Sequence, residues 1–286
     1  MAYKILKKEE IAQSIHRMVI DAPDVAKAAK AGQFIILRFN EFGERIPLTI
    51  LDFEKEKGTV SVIFQEMGKT TKQLAKLSAG DSLEDLVGPL GTPADIRNLG
   101  NVILVGGGVG VAPIYPLAKA YTEAGNRVIS IIGARNKDLL ILEDQMREIS
   151  AKLCIATDDG SKGHHGFVTD IMKNILDSGE KVARIVIIGP PIMMKVGAAI
   201  ASPYDVEILV SLNSIMVDGT GMCGGCRVTI GGRTKFTCID GPEFDARKVD
   251  FVELINRLTM YRGEEIKAVE KYEEECRCGL HLKEKD

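Results

Sequence analysis

Four residues near the C-terminal end of the chain carry the clearest chemistry. Asp218, Cys223, Cys226 and Cys238 form the string D-x4-C-x2-C-x11-C. Thiols at this spacing suit a metal that prefers sulfur. With Cys in the first place, the opening would be C-x4-C-x2-C, the plant-type [2Fe-2S] spacing. Gly219, Gly221, Gly224 and Gly225 lie among these residues. They let the backbone wrap tightly around a small charged object, with N–H groups turned inward. The same donors also suit a structural zinc ion with Asp218 as fourth ligand, although no second C-x2-C or C-x2-H is present. A third reading leaves the thiols metal-free.

Three further stretches have the makings of phosphate and nucleotide sites. Arg45-Ile46-Pro47-Leu48-Thr49 offers a guanidinium fork at the start of a strand. Gly68-Lys69-Thr70-Thr71 opens a helix, whose first N–H groups attract anions. Phe64 ends the strand before it. Gly106-Gly107-Gly108-Val109-Gly110-Val111-Ala112-Pro113 follows an apolar run and leads into a helical stretch, the context a nucleotide loop needs. Each stretch alone also has a plain reading: a solvated arginine, an N-cap, a turn for close packing.

The elements that must position these groups fall into three textures. Up to about residue 98, short segments rich in β-branched residues are separated by turn residues. They cover Tyr3–Lys7, Ile15–Asp21, Gln33–Phe39, Pro47–Phe53, Thr59–Phe64 and Ser82–Val87. This spacing predicts a small antiparallel barrel with one helix over Thr70–Leu77. From residue 99 to 210, apolar strands at Val102–Val105, Arg127–Gly133, Lys152–Ala156, Ile185–Ile188 and Val206–Val210 alternate with helical stretches, Leu139–Ile149 and Val168–Ser178 among them. That alternation predicts a parallel, doubly wound α/β sheet. Residues 211–262 carry the cysteine motif, with a hairpin of Arg227–Ile230 and Thr234–Thr237 turning at Gly231–Gly232. Residues 263–286 are dense in charge and read as a solvated helix or tail.

Totals exclude several classes. A net charge of −3 leaves no electrostatic footprint for nucleic acid. No apolar run reaches the roughly 18 residues of a membrane helix. The start M-A-Y-K-I-L-K-K-E-E lacks a secretory apolar region. Three of the six cysteines belong to one motif, so the chain is no disulfide scaffold, and a reducing, cytoplasmic setting is expected.

The cysteine motif resembles that of the electron-transfer subunit of dihydroorotate dehydrogenase and its relatives, a ferredoxin-reductase-like family. That family carries C-x4-C-x2-C and a later Cys followed by Asp-Gly-Pro; here Cys238 precedes Ile239, Asp240, Gly241 and Pro242. Asp218 departs from the family pattern. It resembles the branch that supplies the small subunits of NADH-dependent ferredoxin:NADP oxidoreductases. The resemblance spans roughly residues 3–250, with motifs in family order.

The resemblance implies a [2Fe-2S] cluster on Asp218, Cys223, Cys226 and Cys238. It also implies FAD in the barrel. Arg45 would meet the pyrophosphate, Thr49 would lie near the ring, Gly68, Thr70 and Thr71 would hold the diphosphate, and Pro47, Leu48 and Phe64 would complete the FAD site. Gly107, Gly108, Gly110, Ala112 and Pro113, in the form G-x-G-x-x-P, would bind a pyridine nucleotide. Arg135 follows the next strand. Gly189, Pro190, Pro191 and Met193 match a Gly-Pro-Pro-x-Met loop beside the nicotinamide. Many relatives have Cys before that loop; this chain has Ile188, so no thiol role is assigned. Asp158 and Asp159 follow the third strand, where carboxylates suit free ribose hydroxyls and repel a 2′-phosphate, so NAD(H) is expected over NADP(H).

The implied route runs between NAD(H), FAD and the cluster to a larger flavoprotein partner with FAD and [4Fe-4S] clusters. Ferredoxin is reached through that complex, in flavin-based electron bifurcation. Direct hydride transfer needs no acid–base residue, and none is assigned. A dihydroorotate-oxidising partner is the alternative. A non-catalytic redox sensor or zinc-stabilised scaffold is the alternative from another class.

Overall fold

The computed structural model describes residues 3–278. The first unit contains β1 (Tyr3–Ala12), β2 (Ile15–Asp21), α1 (Pro23–Ala28), β3 (Phe34–Arg38), β4 (Ile46–Thr49), β5 (Asp52–Glu54), β6 (Thr59–Gln65), α2 (Lys69–Leu74), β7 (Ser82–Leu83) and β8 (Asp85–Leu90). Its strands form two antiparallel sheets, ordered β5-β6-β2-β1-β7 and β4-β3-β8. They enclose Ile5, Met18, Ile20, Ile35, Leu37, Val60, Val62 and Phe64. Side chains alternate across a strand, so β6 turns Val60, Val62 and Phe64 into the barrel and Ile63 outward. Ile63 then joins the core of the next unit, together with Ile15 and Leu51.

Two expected strands are each divided. Pro47–Phe53 becomes β4 and β5 because Ile50 and Leu51 carry the chain from one sheet to the other. The Ile50 N–H donates to the Gln33 carbonyl, and the Leu51 N–H to Ser61. Ser82–Val87 divides likewise, β7 pairing with β1 and β8 with β3. Such corners are set by sheet packing, which local β-propensity does not register. Pro23 opens α1, where a missing N–H costs nothing.

The second unit contains β9 (Asn101–Gly107), α3 (Val111–Glu123), β10 (Arg127–Ala134), α4 (Glu143–Ile149), β11 (Lys152–Thr157), β12 (His164–His165), α5 (Val168–Asp177), β13 (Arg184–Ile188), α6 (Pro191–Ala201) and β14 (Glu207–Ser211). These strands pair in parallel. The helix expected over Leu139–Ile149 begins only at Glu143, after a short 3-10 turn at Lys137–Leu139 and a left-handed Leu142 with φ 57°. Burial of Ile141 and Leu142 holds that irregular backbone in place.

The last unit contains β15 (Arg227–Ile230), β16 (Arg233–Phe236), α7 (Thr237–Asp240), β17 (Glu243–Asp245), α8 (Phe251–Leu258) and α9 (Arg262–Arg277). Gly231 and Gly232, at φ 57° and 75°, make the two-residue turn between β15 and β16. β17 adds antiparallel to β14, completing a seven-stranded sheet ordered β12-β11-β10-β9-β13-β14-β17. The unit is thus stitched into the second one by backbone hydrogen bonds.

α9 is more than a solvated tail. It docks on α2, where Lys72 pairs with Glu273 and Lys76 Nζ lies 3.0 Å from Cys276 Sγ. The same ammonium sits 4.7 Å from the Tyr272 ring centroid, and Tyr272 is buried. The remainder of the expected tail, 279–286, lies outside the described residues. Among the described residues, no helix is long and apolar enough to cross a membrane.

Candidate functional site

Two clefts and one loop gather nearly all the chemistry-bearing residues. The first cleft, ≈ 550 Å³, opens between the barrel and the parallel sheet. Pro47, Leu48 and Thr49 of β4, Phe64 of β6 and Thr71 of α2 form its barrel side. Arg45, Gly68 and Thr70 flank the cleft without lining it. Arg45 is half-buried and pairs with Asp85. The Thr70 hydroxyl donates to Glu44, a carboxylate beside the expected diphosphate position. Thr71 Oγ1 accepts the N–H of Met67 at 2.9 Å and of Gly68 at 3.1 Å, so α2 is capped by its own side chain.

Opposite β4 runs a segment that sequence reasoning assigned to the cluster unit alone. Ser211, Leu212, Asn213, Ser214 and Met216 all line this cleft. Leu212, Ser214 and Met216 are buried, whereas Asn213 and Val217 are exposed. An extended strip turns one face inward, but the sequence Leu212-Asn213-Ser214-Ile215-Met216-Val217 does not alternate apolar with polar, so no local pattern marked it. Ser214 Oγ is buried and has no hydrogen-bond partner. An unpartnered polar atom in a residue that lines a cleft suits a bound group that can hydrogen-bond.

The second cleft, ≈ 510 Å³, lies where strand order reverses between β9 and β13, the ligand position of open α/β sheets. Gly107, Gly108, Arg135, Asp158, Pro190 and Met193 line it. Gly108 has φ 58°. A side chain on Gly110 would strike the Ile188 carbonyl oxygen, so only glycine lets the loop approach β13. Gly110, Ala112, Pro113 and Gly189 line the first cleft instead. Pro191 opens α6 and lines neither cleft. Asp159 also stands outside both. Its carboxylate accepts the Ser161 N–H at 2.9 Å, and Ser161 holds it below the ordinary range. Phe167 at the start of α5, and Ile192 and Val196 of α6, all large, apolar and exposed, line the second cleft and escaped the motif-based reading.

The clefts are neighbours. Gln65, Gly107, Gly108, Val109 and Pro190 line both. Met193 packs across the glycines: a Cβ on Gly189 would meet its Cε at 2.6 Å.

The cysteine loop lies against the barrel. Cys226 and Cys238 are each 1% exposed and pack with Phe34, Ile36 and Met216. Their sulfurs stand 3.1 Å apart and both thiols are free. Burial and the neighbouring Cys226 push the Cys238 thiol up to about 12. Gly219 is pressed so closely that a Cβ would meet Leu90 Cδ1 at 2.6 Å and Ile36 Cδ1 at 2.7 Å. Cys223 is exposed on the outer turn, where its sulfur accepts the Gly225 N–H at 3.4 Å. Asp218 shares that turn. Its two oxygens accept the N–H groups of Thr220 and Cys223, each at 2.8 Å, and Thr220 leads in holding the carboxyl below its ordinary range. The fold therefore pairs Cys226 with Cys238 and links Cys223 to Asp218 through backbone. Among the described residues, no three His, Cys, Asp or Glu side chains converge in the geometry of a metal site. Three thiols and one carboxylate on a glycine-rich loop remain a donor set suited to iron.

Comparison with known proteins agrees with this layout. Residues 213–250 match the iron–sulfur cluster binding domain of dihydroorotate dehydrogenase B. Residues 104–198 match an oxidoreductase NAD-binding domain. A dihydroorotate dehydrogenase B (NAD+) electron transfer subunit homolog from Thermotoga maritima is 49% identical over 94% of this chain and 95% of its own length. The corresponding electron transfer subunit from Desulforamulus reducens is 34% identical over 86% of this chain and 96% of its own. Among solved structures, a chain of the NADH-dependent reduced ferredoxin-NADP oxidoreductase, described for flavin-based electron bifurcation, is 47% identical. It superposes with a TM-score of 0.90, over 95% of this chain and 98% of that one. Phthalate dioxygenase reductase, at 17% identity and a TM-score of 0.62, shares the fold. The antiparallel barrel, the parallel sheet with its glycine loop and the terminal cysteine unit thus occur in one order across whole chains, and this protein belongs to the dihydroorotate dehydrogenase B electron-transfer subunit family.

Proposed function

We propose that the chain moves electrons between NAD(H) in the second cleft, FAD in the first and a [2Fe-2S] cluster on Asp218, Cys223, Cys226 and Cys238, and exchanges them with a larger flavoprotein subunit. One observation carries the reading: the three sites are contiguous. Gly107, Gly108 and Pro190 are common to both clefts, and Met216 lines the first cleft while packing on Cys226 and Cys238. The chemistry would be divided among the bound groups: hydride from the nicotinamide, single or paired electrons through flavin, one electron at the iron–sulfur centre.

The chain's own task is placement. Gly110 lets the loop close on β13, Pro190 forms a wall common to both clefts, Met193 packs over Gly107 and Gly189, and Phe34 and Ile36 shield the buried cysteines from water. Arg45 retains N–H donors beyond its bond to Asp85 and is assigned to the FAD pyrophosphate, with Thr71 and Thr49 nearer the cleft. No side chain is assigned as acid or base.

The partner we infer is the large subunit of a bifurcating assembly, with FAD and [4Fe-4S] clusters and access to ferredoxin and NADP. The 47% identity and near-complete overlap with the ferredoxin-NADP oxidoreductase chain support it over a dihydroorotate-oxidising partner. Free thiols in the cluster motif suit a cytoplasmic setting.

Asp158, on the wall of the second cleft, underlies the choice of NAD(H). With an artificial acceptor, the chain is expected to use NADH with kcat/KM at least about tenfold above NADPH, a difference of roughly 1.4 kcal/mol. Equal values would contradict the assignment of Asp158 to the ribose, since Arg135 in the same cleft would then be serving a phosphate.

A further inference from the structure

We propose that the Ser214 hydroxyl donates a hydrogen bond to the redox-active ring of the flavin and thereby sets its potential. The inference rests on the assignment of FAD to the first cleft. Three observations carry it. Ser214 lines that cleft and is only 6% exposed. Its Oγ meets neither solvent nor a hydrogen-bond partner. Its inward-facing neighbours two residues away, Leu212 and Met216, are apolar and buried at 2% and 7% exposure. A strip built only for packing would carry a third apolar residue at this place, because a buried hydroxyl without a partner opposes folding. Arg17 Nε, Arg38 Nε and Glu243 Oε1 are likewise buried and unbonded, but their residues do not line this cleft.

The chemistry of the ring gives the direction. Its carbonyl oxygens and ring nitrogens accept hydrogen bonds, and reduction places more negative charge on them. A fixed hydroxyl donor therefore stabilises the reduced ring more than the oxidised one, as a preorganised dipole does for any developing charge. Removing the donor makes reduction harder. Met216, next on the same face, packs on Cys226 and Cys238, so the strip that tunes the flavin also abuts the cluster.

The test is Ser214→Ala in the full chain carrying its cofactors, with flavin potential, flavin absorption spectrum, FAD affinity and cluster EPR measured together. Expected are a lower flavin potential, a shifted flavin band, FAD binding weakened about fivefold and an unchanged cluster signal, with Ser214→Thr restoring all three altered quantities. If the alanine variant does not fold, Ser214→Cys, similar in shape and a weak donor, should show the same lowering. An unaltered potential and band with FAD bound would overturn the proposal. So would a changed cluster signal with unaltered flavin, which would give the hydroxyl to the cysteine loop. Wild-type protein that binds no flavin would overturn the assignment of the cleft itself, and this proposal with it.

Discussion

Cys226→Ser and Cys238→Ser should each abolish iron binding while the tail variants Cys276→Ser and Cys278→Ser should leave it intact; this is the largest single-residue effect the structure leads us to expect. Cys226 and Cys238 are buried together with sulfurs 3.1 Å apart, against Phe34 and Ile36 of β3. A serine oxygen there is a poor iron donor, and it buries a hydroxyl among apolar neighbours. Cys276 is committed elsewhere: it stands on α9 with its sulfur beside Lys76 of the α2 region. Iron analysis and EPR on the five proteins, wild type included, settle the set. Iron lost from a tail variant and retained in Cys238→Ser would place the metal outside the glycine-rich loop.

Glu243→Gln should stabilise the folded chain above pH 7 and have little effect near pH 4. Glu243 lies on β17 opposite Ser211 of β14, and its Oε1 is buried without a partner. Burial raises its carboxyl to about 7, partly opposed by Arg184 and reinforced by the negative Asp95 and Glu207. In the unfolded chain the group would ionise near 4.5. Between those values the folded state retains a proton that the unfolded state has released. Stability therefore falls as pH rises from about 4.5 to 7 and is level beyond. Glutamine never ionises and avoids that loss, which is on the order of 3 kcal/mol. Urea unfolding at pH 4 and pH 8 measures it. A stabilisation equal at both values would mean that packing, and not ionisation, explains the substitution.

The parallel sheet was the most legible part of the chain. Its strands are buried on both faces, so Val102–Val105 and Ile185–Ile188 read as continuous apolar runs, and the glycine loop announces itself by position. The barrel was less legible, because its corners at Ile50–Leu51 and Glu84 are decided by which sheet each half joins. Charge density suggested that residues beyond 262 would be solvated. Yet Lys72, Lys76 and Tyr272 give α9 a docking surface through contacts about two hundred positions apart in sequence, which no local pattern encodes.

The site shows the same division. Motifs marked the residues that approach backbone closely, such as Gly110, or recur as spaced cysteines. Residues that matter through their place in the fold, such as the inward-facing Ser214 and Glu243 and the exposed Phe167 at the second cleft, emerged only when the sheet and cleft were in place. Asp218 stands between these cases. Spacing singled it out, and folding adds that its oxygens already hold the turn through the N–H groups of Thr220 and Cys223.

Anaerobic titration of the purified chain with NADH, followed by visible absorbance and EPR, tests the contiguous three-site route most directly. Expected are two irons per FAD, bleaching of the flavin bands, and a reduced [2Fe-2S] signal that appears in the same titration without added partner. Flavin that bleaches fully in one chain while the cluster stays oxidised, even though a mediator poised at the NADH potential reduces it, would contradict transfer between the first cleft and the cysteine loop.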